Sequence, residues 1–317
     1  MNPLVTIAIP TLNGSDTIRE TLMSALAQDY SNLEILVSDN GSSDDVLALA
    51  KSLVQGDPRV RFRRNETTVP IYAHYNQCVA AARGEFYVSL DDDDVISPNY
   101  VSQLIGIVTR HPGINVALAG NVTIDEHSNV VQEFLLPDAE VLDGHKVICD
   151  WLYGRGVPFG GSVSTFLART SVVRHFGGYQ DFALGQNSDN LLFLQCALGN
   201  RVGFASQALY SHRWYDRSYS RPNLAQLASS VQAFARHMER DPRTVEALAA
   251  LPVDQRREII EGVRRMGIAD IVYQSKLDEE RWSLAKVRRL LSVPFQPFFY
   301  RVVCGYYIRR ARALLFS

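Results

Sequence analysis

The sequence predicts an α/β domain built on a parallel sheet, and three observations predict it. Short apolar runs alternate with amphipathic stretches over residues 4–90, turn residues stop each run, and polar groups recur just past the run ends. Strands alternating with helices of about 10–13 residues are the pattern of βαβ units. Residues 4–9 (Leu-Val-Thr-Ile-Ala-Ile) read as a buried strand stopped by Pro10. Asp16 to Gln28 reads as a helix with Ile18, Leu22, Ala25 and Leu26 on one face. Leu33 to Val37 is a second strand, followed by the turn Asp39-Asn40-Gly41-Ser42, and Asp44 to Val54 a second helix. Val60 to Arg64 is a third strand, charged and therefore near a sheet edge. Ala73 to Ala82 forms a third helix, ended by Gly84, and Phe86 to Leu90 a fourth strand.

From about 114 to 215 the pattern changes. Val116–Ala119, Val130–Phe134, Ser164–Leu167 and Val202–Phe204 read as strands with fewer helices between them, a mixed half completing the same domain. After Asp216 the chain is mainly helical, with helical periodicity over 222–239, 254–274 and 277–291. The expected division is residues 1–220 as one α/β domain and 221–317 as a helical C-terminal region. A length of 317 residues suits one large domain, or one of about 200 residues plus an appendage.

The run Asp91 to Asp94 at the end of the fourth strand is the main chemical signal. Adjacent carboxylates repel, so either a cation compensates them or their pKa values rise. The usual compensator is Mg²⁺ or Mn²⁺, shared with a substrate's phosphates. An EF-hand is excluded, because Ile96 stands at the sixth position and Ser102 at the twelfth. The plainer reading, capping of the next helix, is already served by Ser97 as N-cap with Pro98 following it. In parallel sheets ligands sit at the carboxyl ends of strands. Thr11, Asp39 and Asp91–Asp94 should therefore converge on one rim.

Composition excludes several classes. At 46% hydrophobic and 21% charged residues the chain can build a core, and a net charge of −2 disfavours nucleic acid as main partner. Cys78, Cys149, Cys196 and Cys304 lie far apart, with no zinc or disulfide spacing, which points to a reducing cytoplasm. The N-terminal residues do not read as a signal peptide, and no run reaches the ~18–20 apolar residues of a membrane span.

Motifs in order then become specific together. They are Val5-Thr-Ile-Ala-Ile-Pro-Thr-Leu-Asn13, Leu26-Ala-Gln-Asp-Tyr30, Glu34-Ile-Leu-Val-Ser-Asp-Asn-Gly-Ser-Ser-Asp44 and Gly84-Glu-Phe-Tyr-Val-Ser-Leu-Asp-Asp-Asp-Asp94 with Pro98. Gly177-Gly-Tyr179, Ser188-Asp189-Asn-Leu-Leu192 and Tyr210-Ser-His-Arg213 follow. Over residues 4–220 this series resembles the family 2 glycosyltransferases. The resemblance implies a GT-A fold: a Rossmann-like nucleotide-binding half, a mixed-sheet acceptor half and, here, a C-terminal helical appendage. It also implies inverting transfer of a sugar from a nucleotide donor.

Residue by residue, the resemblance implies that Pro10, Thr11 and Asn13 line a nucleotide pocket, and that Asp39 accepts the imide N–H of uracil or thymine. Asp39 also reads as an Asx-turn residue before Asn40-Gly41, and the two roles are compatible. Asp91 and Asp93 match the DXD pair, with Asp93 as metal ligand, Asp91 or Asp92 as ribose contact, and Asp94 as structural. Asp189 matches the catalytic base, and also fits simple capping of a helix over 190–198. Gly160, Gly161 and Ser162 are expected beside the donor sugar, and Arg213 and Ser218 near the diphosphate. There are two departures. The family's Glu before the base is Ser188, and its Arg-x-His metal ligand is missing, since Trp214-Tyr215 follow Arg213; His212 is the substitute ligand.

Residues 281–317 carry Arg281, Lys286, Arg288, Arg289, Arg301, Arg309, Arg310 and Arg312 without an acid, interleaved with aromatics such as Trp282, Phe298 and Tyr306. That mixture favours the surface of an anionic bilayer over the plainer alternative, a packed helical appendage with a solvated basic face. The expected function is metal-dependent transfer from a UDP- or dTDP-sugar to a glycan or lipid-linked glycan, in the cytoplasm or peripherally on the inner membrane face. A sugar nucleotidyltransferase is the first rival, disfavoured because Pro10 to Ser15 contains no basic residue. A non-catalytic sugar-nucleotide-binding protein is the second, favoured only by Ser188.

Overall fold

The computed structural model describes residues 2–134, 136–153, 163–182, 187–214 and 224–264. The first half is βαβ throughout: β1 (Val5–Thr11), α1 (Ile18–Leu26), β2 (Leu33–Asp39), α2 (Val46–Val54), β3 (Val60–Arg64), α3 (Ile71–Ala81) and β4 (Phe86–Ser89). A two-residue β5 (Val95–Ile96) and α4 (Tyr100–Arg110) follow the acidic run. The second half contains β6 (Val116–Ile124), β7 (Val130–Phe134), β8 (Val141–Asp143), α5 (Gly144–Leu152), β9 (Phe166–Arg169), α6 (Thr170–His175), α7 (Ser188–Ala197) and β10 (Arg201–Arg213). Then come α8 (Leu224–Arg240), α9 (Pro242–Ala249) and α10 over residues 253–264.

Among the described residues one sheet runs β3-β2-β1-β4-β9-β6-β10-β5, with β7 on β6 and β8 on β10. β3, β2, β1 and β4 are parallel, and β3 is the edge that its charges predict. β9 pairs antiparallel with both β4 and β6, while β10 runs parallel to β6, giving the expected mixed half.

Period-two alternation sorts the strand residues onto two faces. Val5, Ile7, Ile9, Ile35, Val37 and Val88 pack with α1, α2 and α4. Ala8, Leu36, Tyr87 and Leu118 face α3, α5 and α7. Burial on both faces is why β1 and β2 read as largely apolar runs, Thr6 and Glu34 apart. Phe234, Met238, Leu248, Ile259 and Val263, from α8 to α10, join the second of these cores. The helices after residue 223 thus pack against α5 and α7 over the residues described.

Several elements escape the sequence reading. β5 and β8 are too short to show a period, and α5, α6 and α9 fall where only strands or loops are expected. Ser97 is not an N-cap. Its hydroxyl is taken by Asn99 and by the β10 amide of Leu209, so α4 starts at Tyr100.

At the amino ends of the parallel strands, Glu34 is buried and ties three segments together. It accepts from Thr6 Oγ1, the Arg83 amide and the Arg61 guanidinium, and Gly84 N donates to Thr6 Oγ1 at 2.8 Å. Burial pushes the Glu34 pKa up, but these donors outweigh it and hold it below the usual value. Gly84 allows this close approach, since a Cβ there would lie 2.5 Å from Thr6 N and 2.6 Å from Phe86 O. Gly84→Ala should therefore cost about 1–3 kcal/mol by overpacking against backbone. Urea denaturation reads this directly, and an unchanged midpoint would contradict the role given to Gly84.

Candidate functional site

Parallel register builds the rim. Thr11 and Asp39 are Cα partners at the ends of β1 and β2, and Leu90 N donates to Ala8 O at 2.8 Å, delivering the acidic run beside them. Pro10 is buried one residue before Thr11, paired with Ser38. Asn13 is exposed in the left-handed region at φ 56°. Its side-chain oxygen accepts from Ser43, and its amide donates to Ser42 Oγ. The loops after β1 and β2 are thereby fastened to each other.

Asp39 is fully buried. Its Oδ1 accepts from Ser42 N at 2.8 Å, which is the Asx-turn arrangement. Its Oδ2 takes no hydrogen bond among the described residues and lies 3.3 Å from Arg64 Nη1. A buried carboxylate oxygen left this way is poised to accept from a ligand. Behind it, Asn40 holds Asn65 and both polar groups of Val69, and burial together with Arg63 pushes His74 down to about 4, so the ring is neutral against Ser38 Oγ.

The four aspartates take different environments. Asp91, Asp92 and Asp93 are half-buried and Asp94 is fully buried. Asp91 accepts from the Tyr75 hydroxyl, and Asp92 from the Thr11 hydroxyl. Burial, then the neighbouring charge of Asp94, raises Asp91 well above the usual carboxylate range. Burial lifts Asp92 to about 6 against the Thr11 hydrogen bond, and burial with Asp94 and Asp92 lifts Asp93 to about 7. Asp94 is structural, as expected, but its partners come from β10: the Tyr210 hydroxyl and Arg213 N, the latter at 2.8 Å.

His212 joins this group, with Nδ1 3.5 Å from Asp94 Oδ1. Burial works against its charge, but the hydrogen bond and charge of Asp94, with Asp91 and Asp93 nearby, raise its pKa. Arg213 turns inward: its guanidinium donates to Asp93 O, Asp125 O, Ser128 Oγ and Glu20. That geometry braces the acidic loop against the β6–β7 turn and α1.

Asp189 sits in the first turn of α7, accepting from Asn190 N at 2.8 Å, while Asn187 occupies the N-cap position. It is half-buried, and loss of water raises its pKa. Tyr179 links it to the rim. After burial, which raises the Tyr179 phenol most, the charges of Asp91 and Asp189 both act on it. Its ring meets Tyr75 edge-on at 5.3 Å between centroids. Gly160, Gly161, Ser162, Ser218 and the tail 281–317 lie outside the described residues.

The roles of four residues escaped the sequence reading. Tyr75 holds Asp91 from 16 positions away with no local signal, and Tyr210, which opens the Tyr210-Ser-His-Arg213 motif, holds Asp94 from 116 positions away. Ser164 Oγ receives Asp91 N at 3.3 Å. Gly14 has a readable one, a glycine just past the first strand: a Cβ there would be 2.1 Å from Asp92 Oδ2.

Comparison with known proteins agrees with this architecture. Putative glycosyltransferase EpsE of Bacillus subtilis is 26% identical over 179 residues, covering 56% of this chain and 60% of that one. The chain thus spans less than two thirds of that relative. Among solved structures, S. aureus TarS 1-349 in complex with UDP-GlcNAc superposes with a TM-score of 0.59 at 17% identity, over 87% of this chain and 88% of that one. The mannosyltransferase PcManGT from Pyrobaculum calidifontis, in complex with GDP-Man and Mn²⁺, gives a TM-score of 0.56 at 14% identity, over 97% and 81%. At these identities the likeness is one of fold, and the fold is GT-A. Residues 6–138 match the family described as Glycosyl transferase family 2.

Proposed function

We propose that the protein is an inverting, metal-dependent glycosyltransferase that moves a sugar from a UDP- or dTDP-sugar to a hydroxyl of a glycan or lipid-linked glycan. The observation that carries this reading is the rim itself. A buried Asp39 oxygen awaits a donor there, beside three carboxylates whose pKa values are raised by burial and mutual repulsion. Such a group of oxygens fits a hard divalent cation, Mg²⁺ or Mn²⁺. Asp93 and His212 would hold it, and when bound it would neutralise the two phosphates and stabilise the departing nucleoside diphosphate.

The chain's own residues do the rest. Asp39 accepts the imide N–H, and Pro10, Thr11 and Asn13 bound the nucleoside. Asp91 or Asp92 reaches the ribose, with Tyr75 and Thr11 fixing their orientation. Asp189 takes the acceptor's hydroxyl proton as that oxygen attacks the anomeric carbon and the bond to the phosphate oxygen breaks. A carboxylate whose pKa is raised by burial is a better base than an exposed one. The basic, aromatic segment 281–317 would bring the enzyme to an anionic bilayer, where a lipid-linked acceptor resides.

Asp189→Asn keeps the shape and the oxygen facing Asn190 N but removes the base. Turnover should fall by roughly 10²–10⁴-fold with donor affinity little changed. Transfer at near-parental rate would move the role to another carboxylate.

Asp39→Ala should weaken UDP or dTDP binding about ten- to hundredfold, the worth of a charge-assisted hydrogen bond of about 1.5–3 kcal/mol. Calorimetry giving unchanged affinity would reject the base contact.

The cation has a pH signature. Asp92 and Asp93 titrate near 6 and 7 in the folded chain, above their ordinary values. Their contribution to the metal-free fold is therefore greatest at acid pH and is lost as pH rises through 6 to 7. Mn²⁺ competes with those protons, so it should raise the thermal midpoint more at pH 8 than at pH 5.5. Equal increments at both pH values, or none, would exclude a carboxylate-held cation.

A further inference from the structure

On the sheet face that carries α3 and α7, α5 and α10 bring three different metal-binding side chains to one point. His145 and Cys149 are four residues apart on α5, and Glu258 lies on α10. His145 Nε2 is 3.2 Å from Glu258 Oε2 and 3.4 Å from Cys149 Sγ, and all three donor atoms lie within 4.8 Å of one another. Nitrogen, sulfur and oxygen donors around a tetrahedral Zn²⁺ at ~2.0–2.3 Å are about 3.3–3.7 Å apart. The three side chains already approach that spacing.

The framework beneath them is fixed. Gly144 starts α5 so close to α7 that a Cβ would lie 2.2 Å from Ala197 O, and Gly144 N donates to Asn200 O at 2.8 Å. Asp143 caps the same turn through Lys146 N. On the other side Gly262 of α10 rests on Leu152, where a Cβ would be 2.8 Å from Cδ1, and the Tyr153 hydroxyl donates to Glu258 O at 3.1 Å. Ile259 and Val263 anchor α10 in the core. Rigid helices holding the donors are what a preorganised site requires. The Cys149 side is buried, whereas the His145 and Glu258 side chains are 18% and 39% exposed, leaving an approach for an ion from solvent.

We infer that His145, Cys149 and Glu258 form a second metal site, for Zn²⁺ or a similar borderline-soft ion, that staples the C-terminal helix α10 to α5. A thiolate and an imidazole select such an ion over Mg²⁺, whereas the oxygen-rich rim has the opposite preference. The two sites are therefore chemically separable. Binding releases the Cys149 proton and any proton held on the His145 Nε2 face, so affinity rises with pH.

The test is a Co²⁺ titration of the full-length protein in excess Mg²⁺, read in the thiolate band, which the Asp93 and His212 site of the rim has no sulfur to give. One equivalent of Co²⁺ should give intense four-coordinate visible bands and a near-ultraviolet thiolate-to-cobalt band, both removed by Zn²⁺. Cys149→Ser should abolish the near-ultraviolet band. Glu258→Gln, at a half-exposed position that leaves the fold intact, should weaken Co²⁺ binding at least about tenfold, as should His145→Gln. A folded parent without the thiolate band, a band that survives Cys149→Ser, or parental Co²⁺ affinity in Glu258→Gln and His145→Gln would each overturn the assignment.

Discussion

Four carboxylates in succession at the end of a buried strand must each find a way to be tolerated, and the one fully buried among them decides how. Asp94 faces away from the rim into β10, where the Tyr210 hydroxyl and the Arg213 amide receive it. An unpartnered charge at that depth would cost several kcal/mol. The partners lie on the longest strand of the fold, so satisfying Asp94 also docks the mixed half of the sheet against the loop leaving the parallel half. The short β5 pairing of Ile96 with Tyr210 and the Arg213 brace to Glu20 follow from the same contact. With Asp94 turned inward, Asp91, Asp92 and Asp93 remain at the rim, crowded and partly dehydrated.

Two tyrosines support that rim from the α3 side. Gly178 adopts φ +70°, and a Cβ there would be 2.2 Å from Asn76 Oδ1. The absence of a side chain lets Asn76 hold both the amide and the carbonyl of Tyr179, each at 2.8 Å. Tyr179 is thereby set against Tyr75, whose hydroxyl donates to Asp91. The Gly-Gly-Tyr motif thus has a physical role: it fixes the tyrosine that packs on Tyr75, the residue holding Asp91.

Helices α8 to α10 pack onto the helical layer that contains α5 and α7. Phe234 and Ile259 are fully buried among residues of α5 and α7, so this segment contributes to the core of the same body. Nothing in its helical periodicity distinguishes such docking from a free appendage. Amphipathic stripes look the same whichever surface covers them. Among the described residues no helix is long and apolar enough to cross a membrane.

What the sequence determined by itself was whatever depends on local period and position along the chain. The largely apolar runs at Val5–Ile9 and Leu33–Val37 specify strands buried on two faces, and hence a parallel sheet with its ligand chemistry at the carboxyl end. That alone brings Thr11, Asp39 and the acidic run together, because parallel strands in register end at one rim. The charges of Val60–Arg64 placed β3 at the edge for the same reason. Tertiary structure decided the rest, where partners are distant in sequence and carry no periodic signal. The division of labour among Asp91 to Asp94, the tyrosines that hold two of them, the inward turn of Arg213 and the capture of Ser97 by Leu209 all depend on β10 lying beside the acidic loop. The meeting of His145 and Cys149 with Glu258 is of the same kind, since a helix spacing of four residues shows two donors on one face and only packing supplies the third.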